Sequence, residues 1–291
     1  MRSVVVITGA SRGYGRCLAL DFAREIEQGD VDMYLWARHE ADLAETKRLV
    51  HEAWQQSKGA LDVATQVVDL SLQADYVPKI ETLIVQLQSK SYEQVFLVHN
   101  AGSLGDLGYT NELSSPAQLS AYWELNVNSV VWFNKRFLDV FGATREELVA
   151  STAVSTKPAT QATIINISSL CAIEPFATQG LYCTGKAARE MHFRVLAAEQ
   201  QQPRDANSPD FSKVRVLNYA PGPMDTEMQQ TLRESTTVRR DFVEMFAKMK
   251  AEGTLIPPAT SSGLGVRLIV KNEFESGAHI DYYDIAPNTS A

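Results

Sequence analysis

The stretch VVVITGASRGYG, residues 4–15, decides the fold of this chain. Its first four residues are β-branched, which favours a buried strand, and a helical pattern follows its glycines. Gly9, Gly13 and Gly15 allow a tight turn and a close approach of backbone to a pyrophosphate at a helix N-terminus. Such a triplet also occurs in purely structural turns, but its place between strand and helix favours a dinucleotide site. The predicted cofactor-binding residues of this loop are Gly9, Ser11, Arg12, Gly13, Tyr14 and Gly15.

Short apolar strands alternate with longer amphipathic helices along the rest of the chain. The pattern predicts strands at 3–9, 31–38, 62–70, 94–102, 162–170, 213–222 and 277–285. It predicts helices at 15–26, 40–56, 76–88, 118–141, 181–200 and 259–270. Near-continuous apolar strands between helices indicate a parallel sheet covered on both faces. We therefore predict an α/β fold with one doubly wound, Rossmann-type sheet.

No linker rich in Pro, Gly or Ser divides the sequence, so residues 1–291 are expected to form a single domain. Two polar segments depart from the compact pattern. Residues 144–161 are predicted to form an inserted loop, and residues 199–212 another surface loop.

Composition excludes several classes of partner. The chain has 291 residues, a formal charge of −8 and a pI near 5.2, whereas nucleic acids and anionic membranes require a basic surface. No apolar run approaches the roughly 18–20 residues that span a bilayer, and the N-terminus lacks the features of a signal peptide. Three cysteines without CxxC spacing and five histidines without HxxxH spacing predict neither disulfides nor a metal site. We expect a cytoplasmic protein.

The end of the second predicted strand bears on the choice of dinucleotide. NAD-preferring sites usually place an Asp or Glu there to bind the ribose 2′-hydroxyl, but this strand ends with Trp36, Ala37 and Arg38. Arg38 and Arg12 together can bind a 2′-phosphate through charge-assisted hydrogen bonds. The alternative is that both are ordinary surface arginines. We predict NADP(H) as the cofactor.

Tyr182 and Lys186 are one helical turn apart in LYCTGKAARE, residues 181–190. Side chains at i and i+4 share a helix face, so the ammonium can lie near the phenol and lower its pKa from about 10. The alternative is a core tyrosine beside a solvated surface lysine. The pair alone does not decide between them.

Six motifs in order resemble the short-chain dehydrogenase/reductase family across essentially the whole chain. They are TGASRGYG (8–15), HNAG (99–102), LNVNS with Asn126, NISS (166–169), Tyr182-x-x-x-Lys186 and PGPMDT (221–226). Four stretches, 166–176, 181–190, 214–230 and 276–284, further resemble the family members that reduce pterins. Two features depart from the family pattern: His99 stands where many members carry Asn, and the segment 144–161 is longer than expected.

The resemblance implies four catalytic residues. Tyr182 would be the general acid, with Lys186 lowering its pKa and binding the nicotinamide ribose. Ser168 and Ser169 are not equivalent, because neighbouring strand residues face opposite ways; the family spacing, a serine thirteen residues before the tyrosine, selects Ser169 to orient the carbonyl. Asn126 would hold a water for proton relay, or else be a structural amide that bends its helix.

The resemblance also assigns cofactor contacts beyond the glycine loop. The adenosine side would be lined by the strand end at 100–102, and the adenine edge by Asp69 and Leu70. Thr226 would bind the carboxamide. The complete added set is Asp69, Leu70, Asn100, Ala101, Gly102, Lys186, Pro221, Gly222 and Thr226.

For the substrate, the resemblance implies that Asp281 binds the amino-pyrimidine edge of a pterin, with Asp284 as a weaker alternative. The other interpretation of Asp281 is a surface carboxylate at a strand end. A helical flap at 223–256 would cover the site, although its methionines and phenylalanines equally suit a core. The implied substrate-binding residues are Ser169, Tyr182, Cys183, Met228 and Asp281.

The expected function is therefore NADPH-dependent reduction of a pterin side-chain ketone, in tetrahydrobiopterin formation. A general carbonyl or diketone reductase is the alternative of the same class, and a non-catalytic NADP-sensing protein is the alternative of another class. A homodimer through the long helices, 118–141 among them, is implied by the resemblance, although those apolar faces also suit an intrachain core.

Overall fold

A single seven-stranded parallel sheet organises the computed structural model, which describes residues 1–55, 58–149, 159–201 and 213–287. The strand order is β3-β2-β1-β4-β5-β6-β7, and every neighbouring pair is parallel. The strands are β1 Arg2–Thr8, β2 Asp30–Ala37, β3 Leu61–Val67, β4 Gln94–His99, β5 Gln161–Ile167, β6 Val214–Ala220 and β7 His279–Asp281. The predicted doubly wound α/β fold is confirmed.

Eleven α-helices connect or follow these strands within the described residues. They are α1 Gly13–Glu25, α2 Glu40–Ala53, α3 Gln73–Gln88, α4 Pro116–Trp123, α5 Ser129–Phe141, α6 Arg145–Leu148, α7 Gly180–Gln200, α8 Glu227–Arg233, α9 Arg240–Ala251, α10 Pro258–Lys271 and α11 Tyr282–Ile285. None of the helices in the described ranges is long and apolar enough to cross a membrane.

The sheet buries both of its faces. Val5 and Ile7 of β1 belong to a core with α1, α2 and α10, whereas Val4 and Val6 belong to a second core with α3, α5 and α7. This alternation follows from the two-residue period of a strand. A third, small cluster of Leu104, Leu232, Val238 and Phe246 lies outside the sheet and joins α8 to α9.

Three predicted elements differ from the structure. The helix predicted at 118–141 is two α-helices joined by one π-helical turn, Glu124–Asn128. The strand predicted at 277–285 has only three strand residues, because Asp281 and Asp284 form a capping box that begins α11. The flap segment contains two helices, α8 and α9.

The structure describes only parts of the two predicted loops. Residues 144–149 include the short helix α6, which Thr144 caps, whereas residues 150–158 and 202–212 lie outside the described ranges.

Candidate active site

A large cavity opens at the carboxyl ends of the strands, where β1 and β4 diverge in the strand order. Ligands of doubly wound folds bind at this switch point. The cavity has a volume of about 1310 Å³, and its walls come from the glycine loop, the ends of β2, β4, β5 and β6, and helices α7 to α9.

The glycine loop has the shape that the sequence predicts. Gly9 and Gly13 have φ of +69° and +52°, in the left-handed region that favours glycine. A Cβ at Gly15 would collide with the Gly9 carbonyl oxygen. The first turn of α1 contains no acidic residue, and no side chain caps it, so its N–H groups suit an anion.

The end of β4 is joined to this loop. Asn100 Nδ2 donates to the carbonyl oxygens of Thr8 and Gly9 at 3.1 and 3.0 Å. Asn100, Ala101 and Gly102 line the cavity. The ends of β1 and β4 are therefore held at a fixed separation beside the glycine loop.

The two predicted phosphate-binding arginines both line the cavity, but they differ in their partners. Arg38 is exposed at the end of β2. Arg12 forms an ion pair with Glu227, in the first turn of α8. A ligand phosphate at Arg12 would have to compete with this carboxylate.

Ser169, Tyr182 and Lys186 converge on one wall of the cavity. Lys186 Nζ donates to the carbonyl oxygen of Ile167 at 2.6 Å, and it lies 5.6 Å from the centre of the Tyr182 ring. Lys186 is 7% exposed, so the interpretation of a solvated surface lysine is wrong.

Burial controls the titration of this pair. It raises the pKa of the Tyr182 phenol, and the Ser169 hydroxyl opposes the increase only in part. Burial also lowers the pKa of Lys186 to about 7, with Arg189 acting in the same direction. The Tyr182 pKa is thus raised and not lowered as expected, because desolvation outweighs the Ser169 hydroxyl and the charge of Arg189, which lower it.

The two candidate serines have different surroundings. Ser168 is 2% exposed and donates to Glu190 Oε2 at 2.5 Å. Ser169 lies two residues beyond the end of β5, caps a 3₁₀ turn by accepting from Cys171 N at 3.2 Å, and acts to lower the pKa of the Tyr182 phenol. The hydroxyl beside the phenol is therefore that of Ser169.

Three predicted site residues do not line the cavity. Asp69 Oδ1 accepts from the backbone N–H and the hydroxyl of Ser71 at 2.9 and 2.6 Å, although its neighbour Leu70 is in the lining. Asn126, in the π-helical turn, accepts from Ser103 N at 2.9 Å and donates to Tyr122 O at 2.9 Å. Cys183 is directed toward Phe176 O and the Cys171 thiol. Local hydrogen bonds thus occupy all three side chains.

The remaining predicted residues lie where expected. Pro221, Gly222, Thr226, Met228 and Asp281 all line the cavity. Thr226 caps α8 by accepting from Gln229 N at 3.3 Å, and Asp281 caps α11 by accepting from Tyr283 N at 3.0 Å.

The flap helices α8 and α9 cover the catalytic wall, which is the part of the cavity wall formed by Ser169, Tyr182 and Lys186. Leu232 of α8 and Phe246 of α9 are buried in the small outer cluster, against which Tyr182 packs. Met228 and Met245 line the cavity and remain more than a third exposed. The segment is thus part core and part cavity wall.

Sequence reasoning missed the buried polar side chains behind the wall. Arg189 is 1% exposed and donates to Asn166 Oδ1, Ala101 O and His99 O at 2.9, 3.0 and 2.6 Å. It thereby joins the ends of β4 and β5. The unusual His99 is a core residue that contacts Asn134 Oδ1 at 2.8 Å, and burial lowers its pKa to about 3. Neither residue had a sequence signal beyond its place in a motif.

A family model described as short chain dehydrogenase matches residues 3–237. The chain belongs to this family. It is an oxidoreductase of the short-chain type, with curated relatives along nearly its full length. It is 38% identical to sepiapterin reductase of Meriones unguiculatus over 97% of both chains, and 36% identical to that of Rattus norvegicus over the same shares. It is also 28% identical to a benzil reductase ((S)-benzoin forming) of Bacillus subtilis, over 91% of this chain and 93% of that protein.

Solved structures share the fold. A short chain dehydrogenase/reductase from Saccharomyces cerevisiae superposes with a TM-score of 0.73 at 20% identity, covering 99% of this chain and 100% of that one. A short chain dehydrogenase from Shigella flexneri, complexed with NADP, gives 0.67 at 20% identity and covers 97% of each chain. Within the described ranges, no three His, Cys, Asp or Glu side chains are grouped to hold a metal ion.

Proposed function

We propose that this protein is an NADPH-dependent reductase of the side-chain ketone of a pterin, as in tetrahydrobiopterin formation. One observation carries the proposal: Ser169, Tyr182 and Lys186 share a cavity with the carboxylate of Asp281. The first three residues suit carbonyl reduction, and the fourth suits the N–H donors of an amino-pyrimidine. The named function of the sepiapterin reductase relatives supports the same substrate class.

The cavity fits a phosphorylated dinucleotide. The uncapped first turn of α1 offers N–H groups to a pyrophosphate, and the crowding at Gly15 keeps the turn tight. Arg38 and Arg12 supply positive charge at the end of β2, where Trp36 and Ala37 bring no carboxylate. NADP(H) is therefore the proposed cofactor.

The side chains of the catalytic wall can donate a proton to the substrate. The bound nicotinamide would supply the hydride. Tyr182, whose raised pKa keeps the phenol protonated at neutral pH, donates its proton to the carbonyl oxygen as the general acid. Ser169 donates a second hydrogen bond to that oxygen, and the charge of Lys186 stabilises the resulting phenolate.

The other end of the substrate distinguishes a pterin enzyme from a general reductase. Asp281→Asn removes the charge but keeps a side chain that caps α11 well. Because a hydrogen bond to a charged group contributes about 1.5–3 kcal/mol, we expect kcat/KM for sepiapterin to fall about 10- to 100-fold. The rate with a small diketone, followed by NADPH absorbance, should change less than about 3-fold.

Asp284→Asn is the matched control, since Asp284 lines the same cavity and should affect both substrates little. Equal losses on sepiapterin and diketone in Asp281→Asn would favour a general carbonyl or diketone reductase, which the benzil reductase relative supports. No turnover of any carbonyl by the unmodified protein would favour an NADP-sensing protein.

Cofactor choice depends on the two arginines. Arg38→Ala should lower the preference for NADPH over NADH about 10-fold or more, because a charge-assisted hydrogen bond to phosphate is lost. Glu227→Gln should act in the opposite direction, since it frees Arg12 from its ion pair. The measurement is kcat/KM for each dinucleotide at one ionic strength. An unchanged preference in Arg38→Ala contradicts the assignment.

We further propose that the chain acts as one domain with the segment 223–256 as its substrate flap, and as a cytoplasmic homodimer. The outer faces of α5 and α7 carry exposed Val131, Trp132, Met191 and Val195, an apolar surface suited to a second copy. A monomer mass in sedimentation equilibrium would contradict the dimer, and recovery in a membrane fraction would contradict the location.

A further inference from the structure

Three polar side chains meet behind the catalytic wall: the buried Ser168 after β5 and Glu190 on α7, and the half-buried His279 on β7. Ser168 Oγ donates to Glu190 Oε2 at 2.5 Å, and His279 Nδ1 lies 3.0 Å from Glu190 Oε1. Ser168 and Glu190 are 2% and 4% exposed. A carboxylate buried to this extent is costly unless it is paired and hydrogen-bonded, and both of its oxygens have a partner here.

Glu190 acts on Lys186 as well. The two residues are four apart on α7 and therefore share a helix face. Burial and then the charge of Arg189 lower the pKa of Lys186, whereas Cys171 and, to a lesser extent, the charge of Glu190 raise it. Glu190 is thus a carboxylate that favours the charged form of this buried lysine.

His279 connects this carboxylate to the substrate cavity. Its side chain lines the cavity, and its Nε2 is buried without a hydrogen-bond partner among the described residues. The hydrogen bond to Glu190 raises the His279 pKa, and the charges of Asp281 and Asp284 add to the effect. When His279 is protonated, it offsets part of the negative charge that Lys186 experiences.

We propose that Glu190 and His279 are positioning residues that set the charge of Lys186: Glu190 keeps the lysine protonated, and His279 competes with it for the same carboxylate. The proposal deepens the reductase function and, for its effect on turnover, rests on it. It predicts that removing the two side chains has opposite effects on Lys186, which a merely structural role does not predict.

The direct test is an NMR titration of Lys186 in the full chain labelled with ¹³C-lysine, without cofactor or substrate. The resonance is assigned by its loss in Lys186→Arg. Because the loss of an opposite charge disfavours the ammonium form, Glu190→Gln should lower the Lys186 midpoint by about half a unit or more. His279→Gln should raise it by a few tenths of a unit or more.

Ser168→Ala is the matched control, because it removes one hydrogen bond of the carboxylate but leaves every charge in place. Its midpoint should stay within a few tenths of a unit of the unmodified protein. Shifts of the same sign in Glu190→Gln and His279→Gln, or no shift in either, would overturn the proposal.

The alkaline limb of kcat/KM for NADPH-dependent reduction gives the second readout. It should move to lower pH in Glu190→Gln and to higher pH in His279→Gln, if both variants keep the circular dichroism of the unmodified protein. If the Lys186 midpoint shifts in opposite directions in the two variants but the protein reduces no carbonyl, the effect of Glu190 and His279 on Lys186 is supported and the proposed function is contradicted. Failure of this proposal and failure of the proposed function therefore give different results.

Discussion

Tyr182→Phe should lower kcat for ketone reduction by about 10²- to 10⁴-fold, the usual contribution of a general acid. The Tyr182 ring packs against the small outer cluster. Phenylalanine keeps that packing but lacks the hydroxyl group, which carries the only proton that the phenol can donate. The Kd for NADPH, measured by its fluorescence, should change less than about 3-fold.

The matched control for this variant is Tyr122→Phe. Tyr122 also lines the cavity, is 5% exposed, and has its pKa raised by burial. Desolvation alone therefore does not distinguish the two phenols, whereas the influence of the Ser169 hydroxyl and the nearby Lys186 belong to Tyr182. If Tyr122→Phe loses as much activity as Tyr182→Phe, or if Tyr182→Phe keeps more than a tenth, the acid has to be reassigned.

Much of the fold could be predicted because periodicity and apolar runs report which faces are buried. Strands β1 to β6 each begin within one residue of their predicted starts. For all of them except the edge strand β3, an almost continuous apolar run between two helices is typical of a strand covered on both faces. The C-terminal HIDYYD was different. Its alternating residues suit a strand, but the capping box of Asp281 and Asp284 ends β7 and begins α11, and local hydrogen bonds outweighed β-propensity.

The cavity lining was largely predictable because the glycine loop and the strand ends converge by topology. Three predicted side chains lie outside the lining, where local partners hold them, and their roles stay predictions. Asp69 and Asn126 were assigned by motif, yet Ser71 and Ser103 hold them outside the lining. Glu190 and His279 were missed because a charged residue on a helix and a histidine on an edge strand are normally solvent-exposed; only the tertiary structure brings the two side chains into contact.

The fold and the cofactor site depend on the same close approach, at Gly15. A Cβ there would lie 2.6 Å from Asn100 Nδ2 and would collide with the Gly9 carbonyl oxygen, which accepts the hydrogen bond that joins the loop to β4. The backbone cannot move aside as a flexible side chain can, so overpacking here should lower the free energy of unfolding by about 1–3 kcal/mol. Gly15→Ala should therefore lower both the melting temperature and the affinity for NADPH.

We expect the larger effect on the dinucleotide, with Kd raised about 100-fold or more, because moving the loop displaces the N–H groups of α1 that would bind the pyrophosphate. Gly263→Ala on α10 is the matched control: its Cβ would come no closer than 3.9 Å to another residue, and alanine in a helix interior is neutral or stabilising. Differential scanning calorimetry and NADPH fluorescence titration measure the two effects. If Gly15→Ala binds NADPH as tightly as Gly263→Ala does, the crowded turn has no part in holding the dinucleotide, and its glycines serve the fold alone.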